Sequence, residues 1–119
     1  MIITLCGSSK FKDDFMEAAK NLALEGHAVL VPNIFHHVDE IELTTEQSIR
    51  LENAHKEKIS ISDAIFVVNK DGYIGESTFA EIDWAQRMKK EIYFLVNPNP
   101  EEEKKEENTE PIEAELVEG

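Results

Sequence analysis

Apolar and polar positions fall along this chain in blocks whose period switches between that of a strand and that of a helix. Ile2-Ile3-Thr4-Leu5-Cys6 is a short β-branched run stopped by Gly7-Ser8-Ser9, which predicts a buried strand entering a tight loop. From Phe11 to Glu25 the positions Phe11, Phe15, Ala18, Ala19 and Leu22 recur at helical spacing, and Gly26 stands where a helix C-terminus favours a left-handed residue. Ala28 to Val31 predicts a second strand closed by Pro32, before a polar loop from Asn33 to Leu43. A second helix runs from about Thr44 to Ile59, because Thr44 and Gln47 stand at capping-box spacing and no Gly or Pro interrupts. Its better apolar face reads Leu51, Ala54, His55 and Lys58, so His55 and Lys58 point toward the body of the protein. Ala64 to Asn69 is the most sheet-like run and predicts a central strand covered on both faces. A loop from Lys70 to Ser77 then leads to a third helix, Thr78 to Lys90, with Phe79, Ile82, Ala85 and Met88 inward, and to a fourth strand from Ile92 to Val96.

This alternation predicts an α/β, flavodoxin/Rossmann-like three-layer sandwich around a four-stranded parallel sheet of order 2-1-3-4. In that order the connections leave strands 1 and 3 in opposite directions. A crevice therefore opens at their carboxyl ends, where Gly7–Lys10 and Lys70–Ser77 meet.

With 119 residues and 41% hydrophobic content the chain builds one core. Residues 1–98 form the expected domain and 99–119 an acidic, disordered tail, nine Glu and two Lys falling within 101–119. The net charge of −13 opposes binding to nucleic acid polymers and to anionic membranes. Cys6 is the single cysteine, so no intramolecular disulfide forms, and no apolar leader or long hydrophobic run is seen. The cytoplasm is the expected compartment.

Gly7-Ser8-Ser9-Lys10 offers backbone N–H groups, hydroxyls and an ammonium at a helix start, which suits a phosphate or another small anion. It matches neither the Walker pattern nor G-x-G-x-x-G, and the alternative is that Gly7 permits a turn and Ser9 caps a helix. A phosphatase-like reading of Cys6 is opposed by Lys12, which stands where such an enzyme needs the bidentate fork of Arg. Glu81 either completes a capping box with Thr78 or faces inward on the stripe it shares with Ala85 and Met88. A semi-buried carboxylate beside hydroxyls and Tyr73 suits attack on a sugar C1′. His36, His37, Asp39, Glu40 and His55 are metal-ligand types without H-x-x-x-H or H-E-x-x-H spacing, so no metal site is expected. His55 and Lys58 suit a phosphate, a neighbouring subunit or a packed polar face equally, and Trp84 and Met88 suit core or an oligomer contact.

Through Ile3–Phe11, Ser62–Asn69 and Gly75–Ala85 the chain resembles the nucleoside 2-deoxyribosyltransferase superfamily over residues 1 to about 97. It is most similar to a small branch that shares the Gly-Ser start and the Tyr73-Ile74-Gly75-Glu76-Ser77 stretch. The resemblance implies a flavodoxin-like sheet, homo-oligomers with sites near subunit contacts, and cleavage or transfer at the N-glycosidic bond of a nucleoside or nucleoside 5′-monophosphate without metal or other cofactor. It places the nucleophile at Glu81, with Tyr73 and Ser77 lining the pocket and steadying it. Gly7, Ser8 and Ser9 surround the sugar or its phosphate, Lys10 stands where hydrolases of the superfamily have Arg, and Glu76 approximates a base-contacting Asp. Asn69 and Gly75 complete the implied substrate-binding set. The alternative is a non-catalytic nucleotide-binding or sensing module, with Glu81 accepting from a ribose hydroxyl or capping its helix.

Overall fold

The switching periods become seven regular elements in the computed structural model, which describes residues 1–32 and 42–98. They are β1 (Ile2–Gly7), α1 (Lys12–Leu24), β2 (Ala28–Leu30), α2 (Thr45–Ile61), β3 (Ala64–Val68), α3 (Glu76–Arg87) and β4 (Glu91–Phe94), with 3₁₀ turns at Ser9–Phe11 and Lys70–Gly72. The strands pair in parallel in the order β2-β1-β3-β4, Ile3 lying beside Val29 and Ala64, and Ala64 beside Glu91. Parallel neighbours need crossovers, and the helices supply them on both faces.

Side chains alternate across the sheet and so sort into two cores. Ile3, Leu5, Ala64, Phe66 and Val68 pack against Phe15, Ala18 and Leu22 of α1. Cys6, Ile65 and Val67 face the opposite way, against Ile59 of α2 and Ala85 of α3. Leu22, Ile59 and Phe66 are fully inaccessible, and burial of each contributes about 1.5–3 kcal/mol.

Local chemistry fixes the ends of these elements. Thr44 and Gln47 form the expected capping box at the start of α2. Gly26, at φ +96°, follows α1, and the N–H groups of Gly26 and His27 donate to the carbonyls of Ala23 and Leu22, the Schellman arrangement. At one end of the sheet the Ile2 N–H donates to Asp63 and the Asp63 N–H to the Ile2 carbonyl. At the other end the Asn69 amide donates to the Val96 carbonyl at 2.7 Å and accepts from the Val96 N–H at 2.9 Å.

α3 departs from the sequence expectation. It starts at Glu76, two residues before Thr78, with Gly75 as its N-cap, so Thr78 and Glu81 form no capping box. Its buried stripe is Thr78, Glu81 and Ala85, while Phe79 is 60% exposed and Met88, past the last helical residue, is also exposed. The helix begins against a polar crevice, so polar side chains occupy its inward positions there and the apolar contacts start one turn later. Ser9 caps no helix: the Ser8 hydroxyl accepts from the Lys10 N–H of the first 3₁₀ turn instead. Among the described residues no helix is long and apolar enough to cross a membrane.

Candidate functional site

A cavity of about 400 Å³ opens at the carboxyl ends of β1 and β3, within the size range of small-molecule sites. Gly7, Ser8 and Ser9 form one wall, and Tyr73, Gly75, Glu76, Ser77, Thr78 and Glu81 form a second. The third wall is α2, which contributes Ser48, Leu51, Glu52 and His55, and Pro32 and Leu43 complete the lining.

Gly7 ends β1 at φ +149°, and a Cβ there would lie 2.7 Å from the Val68 carbonyl oxygen of the paired strand. Only glycine lets the chain turn out of the sheet this close to its neighbour. The turn carries Lys10 and Phe11 toward the other loop: the Lys10 ammonium sits 3.8 Å from the Tyr73 ring centroid and the Phe11 ring meets Tyr73 edge-on at 5.8 Å. Lys10 thus braces the rim instead of lining the cavity. Asn69 is also absent from the lining, its amide being committed to Val96.

On α2, Ser48, Glu52, His55 and Ile59 follow at spacings of four, three and four residues, a stripe that runs from the cavity into the core. On α3, Ser77 and Thr78 lie one turn before Glu81 on the cavity side. The two stripes converge above Cys6, which alternation on β1 points into the α2–α3 layer.

The result is a buried polar cluster at the cavity floor. His55 Nε2 lies 3.5 Å from Cys6 Sγ and 3.5 Å from Glu81 Oε1. Glu81 is 7% exposed and His55 5%, yet both reach the cavity. Burial raises the Glu52 carboxyl above its ordinary value, and the Glu81 carboxylate beside it pushes the same way, offset in part by His55 and Lys56. Burial, then the charge of Glu81 and a hydrogen bond to it, pushes the Cys6 thiol well up. A thiol so placed resists forming thiolate, and with Lys12 exposed the phosphatase-like reading has no support. Lys58 donates to the Val31 carbonyl at 2.7 Å, and burial lowers its ammonium below the ordinary value.

The structure therefore brings together Gly7, Ser8, Ser9, Tyr73, Gly75, Glu76, Ser77 and Glu81 from the sequence-derived set, and leaves Lys10 at the rim and Asn69 in the sheet. Glu52 and Cys6 were missed as members of the cluster. The Ser48–Glu52–His55–Ile59 spacing was the available signal for Glu52. His36, His37, Asp39, Glu40 and the 99–119 tail lie outside the described residues.

No family model and no curated relative matches the chain. Among solved structures it is similar to the CMP N-glycosidase BcmB of Clostridium botulinum, at 19% identity and a TM-score of 0.46, over 79% of this chain and 70% of that one. A likeness this distant carries no argument about chemistry, which rests on the cavity itself.

Proposed function

We propose that the protein cleaves the N-glycosidic bond of a nucleoside or nucleoside 5′-monophosphate, with Glu81 as nucleophile. The observation that carries this reading is a buried carboxylate, Glu81, at the floor of an open cavity beside a second carboxyl, Glu52, whose affinity for a proton is raised. Two carboxyl groups held in different environments divide the roles of nucleophile and acid. The Glu81 carboxylate attacks C1′ as the C1′–N bond breaks, and Glu52 gives its proton to the departing base. Water then adds at C1′, returning a proton to Glu52 and releasing Glu81 from the glycosyl ester. Ser77, one turn before Glu81, and Tyr73, on the loop that leads into the same helix, hold the sugar against it.

The described lining contains three Glu and no Lys or Arg. That charge favours a sugar with a free 5′-hydroxyl over one with a phosphate. The exposed side chains of Ile49 and Phe79, each next in sequence to a lining residue, favour a homo-oligomer with its contacts beside the cavity. A monomer in sedimentation would remove that part.

The test is chromatography of free base released from a panel of nucleosides and 5′-monophosphates by wild type and by Glu81→Ala. Release by the wild type and its loss in the variant is the expected result. Undiminished release by Glu81→Ala would overturn the assignment, and no release from any member would favour a binding module.

A further inference from the structure

The Cys6–His55–Glu81 cluster has a geometry that the glycosidase reading does not need. Sγ of Cys6, a ring nitrogen of His55 and a carboxylate oxygen of Glu81 all lie within 4.8 Å of one another. A tetrahedral zinc ion holds sulfur at about 2.3 Å and nitrogen or oxygen at about 2.0–2.1 Å, which puts sulfur and nitrogen about 3.5 Å apart and nitrogen and oxygen about 3.3 Å apart. The observed edges are 3.5 Å and 3.5 Å. Three side chains from three separate elements, β1, α2 and α3, thus match two edges of a tetrahedral face, and the third, Cys6 to Glu81, is within 4.8 Å.

His55 is the hub of the three. Its ring is buried, and Nδ1 makes no hydrogen bond among the described residues. The polar partners that the ring does have are Cys6 and Glu81, both through Nε2, the atom that would face an ion. A soft thiolate and an imidazole beside one carboxylate suit zinc over magnesium or calcium. His55 and Glu81 line the cavity, so an ion and a water ligand reach the cluster from there.

We propose that Cys6, His55 and Glu81 bind a thiophilic divalent cation, zinc by ligand chemistry, and that its occupancy withholds the Glu81 carboxylate from substrate. The second half rests on the glycosidase reading; the first stands without it. On binding, the Cys6 thiol loses its proton to solvent and the sulfur, nitrogen and carboxylate oxygen each donate a lone pair. Zinc and substrate then compete for Glu81, which makes the ion an inhibitor and not a participant in turnover.

The experiment is a titration of the dialysed full-length protein with Co²⁺ alone, followed by Zn²⁺. One equivalent of Co²⁺ is expected to give a saturable near-ultraviolet band from sulfur-to-cobalt charge transfer, with intense visible bands of four-coordinate cobalt, all removed by Zn²⁺. Cys6→Ser should abolish the near-ultraviolet band, and Glu81→Gln should weaken binding by more than the roughly 10–100-fold typical of losing an outer-shell partner. Circular dichroism identifies a variant that has not folded, and the wild-type spectrum decides even then. A spectrum without the charge-transfer band, or one unchanged in folded Cys6→Ser, would overturn the site. These readings need no substrate, so they fail or succeed separately from the glycosidase proposal. Where base is released, Zn²⁺ should suppress it half-maximally at its measured dissociation constant when substrate is well below KM, and undiminished release under that condition at saturating Zn²⁺ would overturn the competition.

Discussion

Replacing Gly7 by alanine tests how the sheet shapes the cavity. The backbone there has φ +149°, and the added Cβ would meet the Val68 carbonyl oxygen at 2.7 Å and the tip of Phe15 at 3.2 Å. The Phe15 ring can shift, but the Val68 oxygen belongs to the strand paired with β1 and moves only if that pairing opens. Strain at such a φ costs about 1–3 kcal/mol, and overpacking a fixed neighbour costs about 1–3 kcal/mol more. A total of about 2–6 kcal/mol corresponds to a fall in Tm of at least about 10 °C for a domain of this size. Gly26→Ala is the control, because its φ is +96° and nothing lies within 4 Å of its Cβ. It carries backbone strain alone, on the order of 1–2 kcal/mol. Urea and thermal unfolding of both variants measure the difference between them, which is the contact with β3. Equal losses in the two, or a Gly7→Ala Tm within a few degrees of wild type, would refute this account of the loop.

Asn69→Ala should cost about 1–2 kcal/mol, from two hydrogen bonds to a partly exposed Val96, while ligand affinity measured by calorimetry changes less than about twofold. A large loss of affinity with unchanged stability would return Asn69 to the site. Glu52 has a folded-state proton affinity above its unfolded one, so the native state holds the extra proton and stability falls as pH rises from the ordinary carboxyl range through the raised value. Glu52→Gln should remove that slope, gaining on wild type in denaturant unfolding between acid and neutral pH; the same offset at both would contradict the linkage. Nucleosides should show a higher kcat/KM than their 5′-monophosphates, since no Lys or Arg lies in the described lining. A preference for the monophosphate would mean that a cation outside that lining reaches the phosphate.

The α2 capping box and the α1 terminus were legible because each depends on neighbours within a few residues, Thr44 with Gln47 and Gly26 after Leu22 and Ala23, and the strand order because alternating strands and helices with right-handed crossovers leave few arrangements. The face of α3 was not. Apolar identity pointed to Phe79 and Met88, whereas the crevice beside the helix start draws Thr78 and Glu81 inward. Cys6 sits in an apolar run and reads as core, which it is; that its sulfur meets His55 depends on where α2 crosses β1, a contact between residues 49 positions apart. Glu52 was obscured because α2 is polar nearly all round, and only packing selects its inward face. The Tyr73 ring under Lys10 likewise joins two loops that sequence places far apart.

The most direct test of the central claim is the mass of the protein after reaction with a 2′-fluorinated nucleoside, whose electron-poor sugar slows release of a glycosyl ester more than its formation. The account predicts an added sugar mass carried by the peptide that contains Glu81 and missing from Glu81→Gln. Base release with the sugar on another residue, or undiminished release by Glu81→Gln, would contradict it.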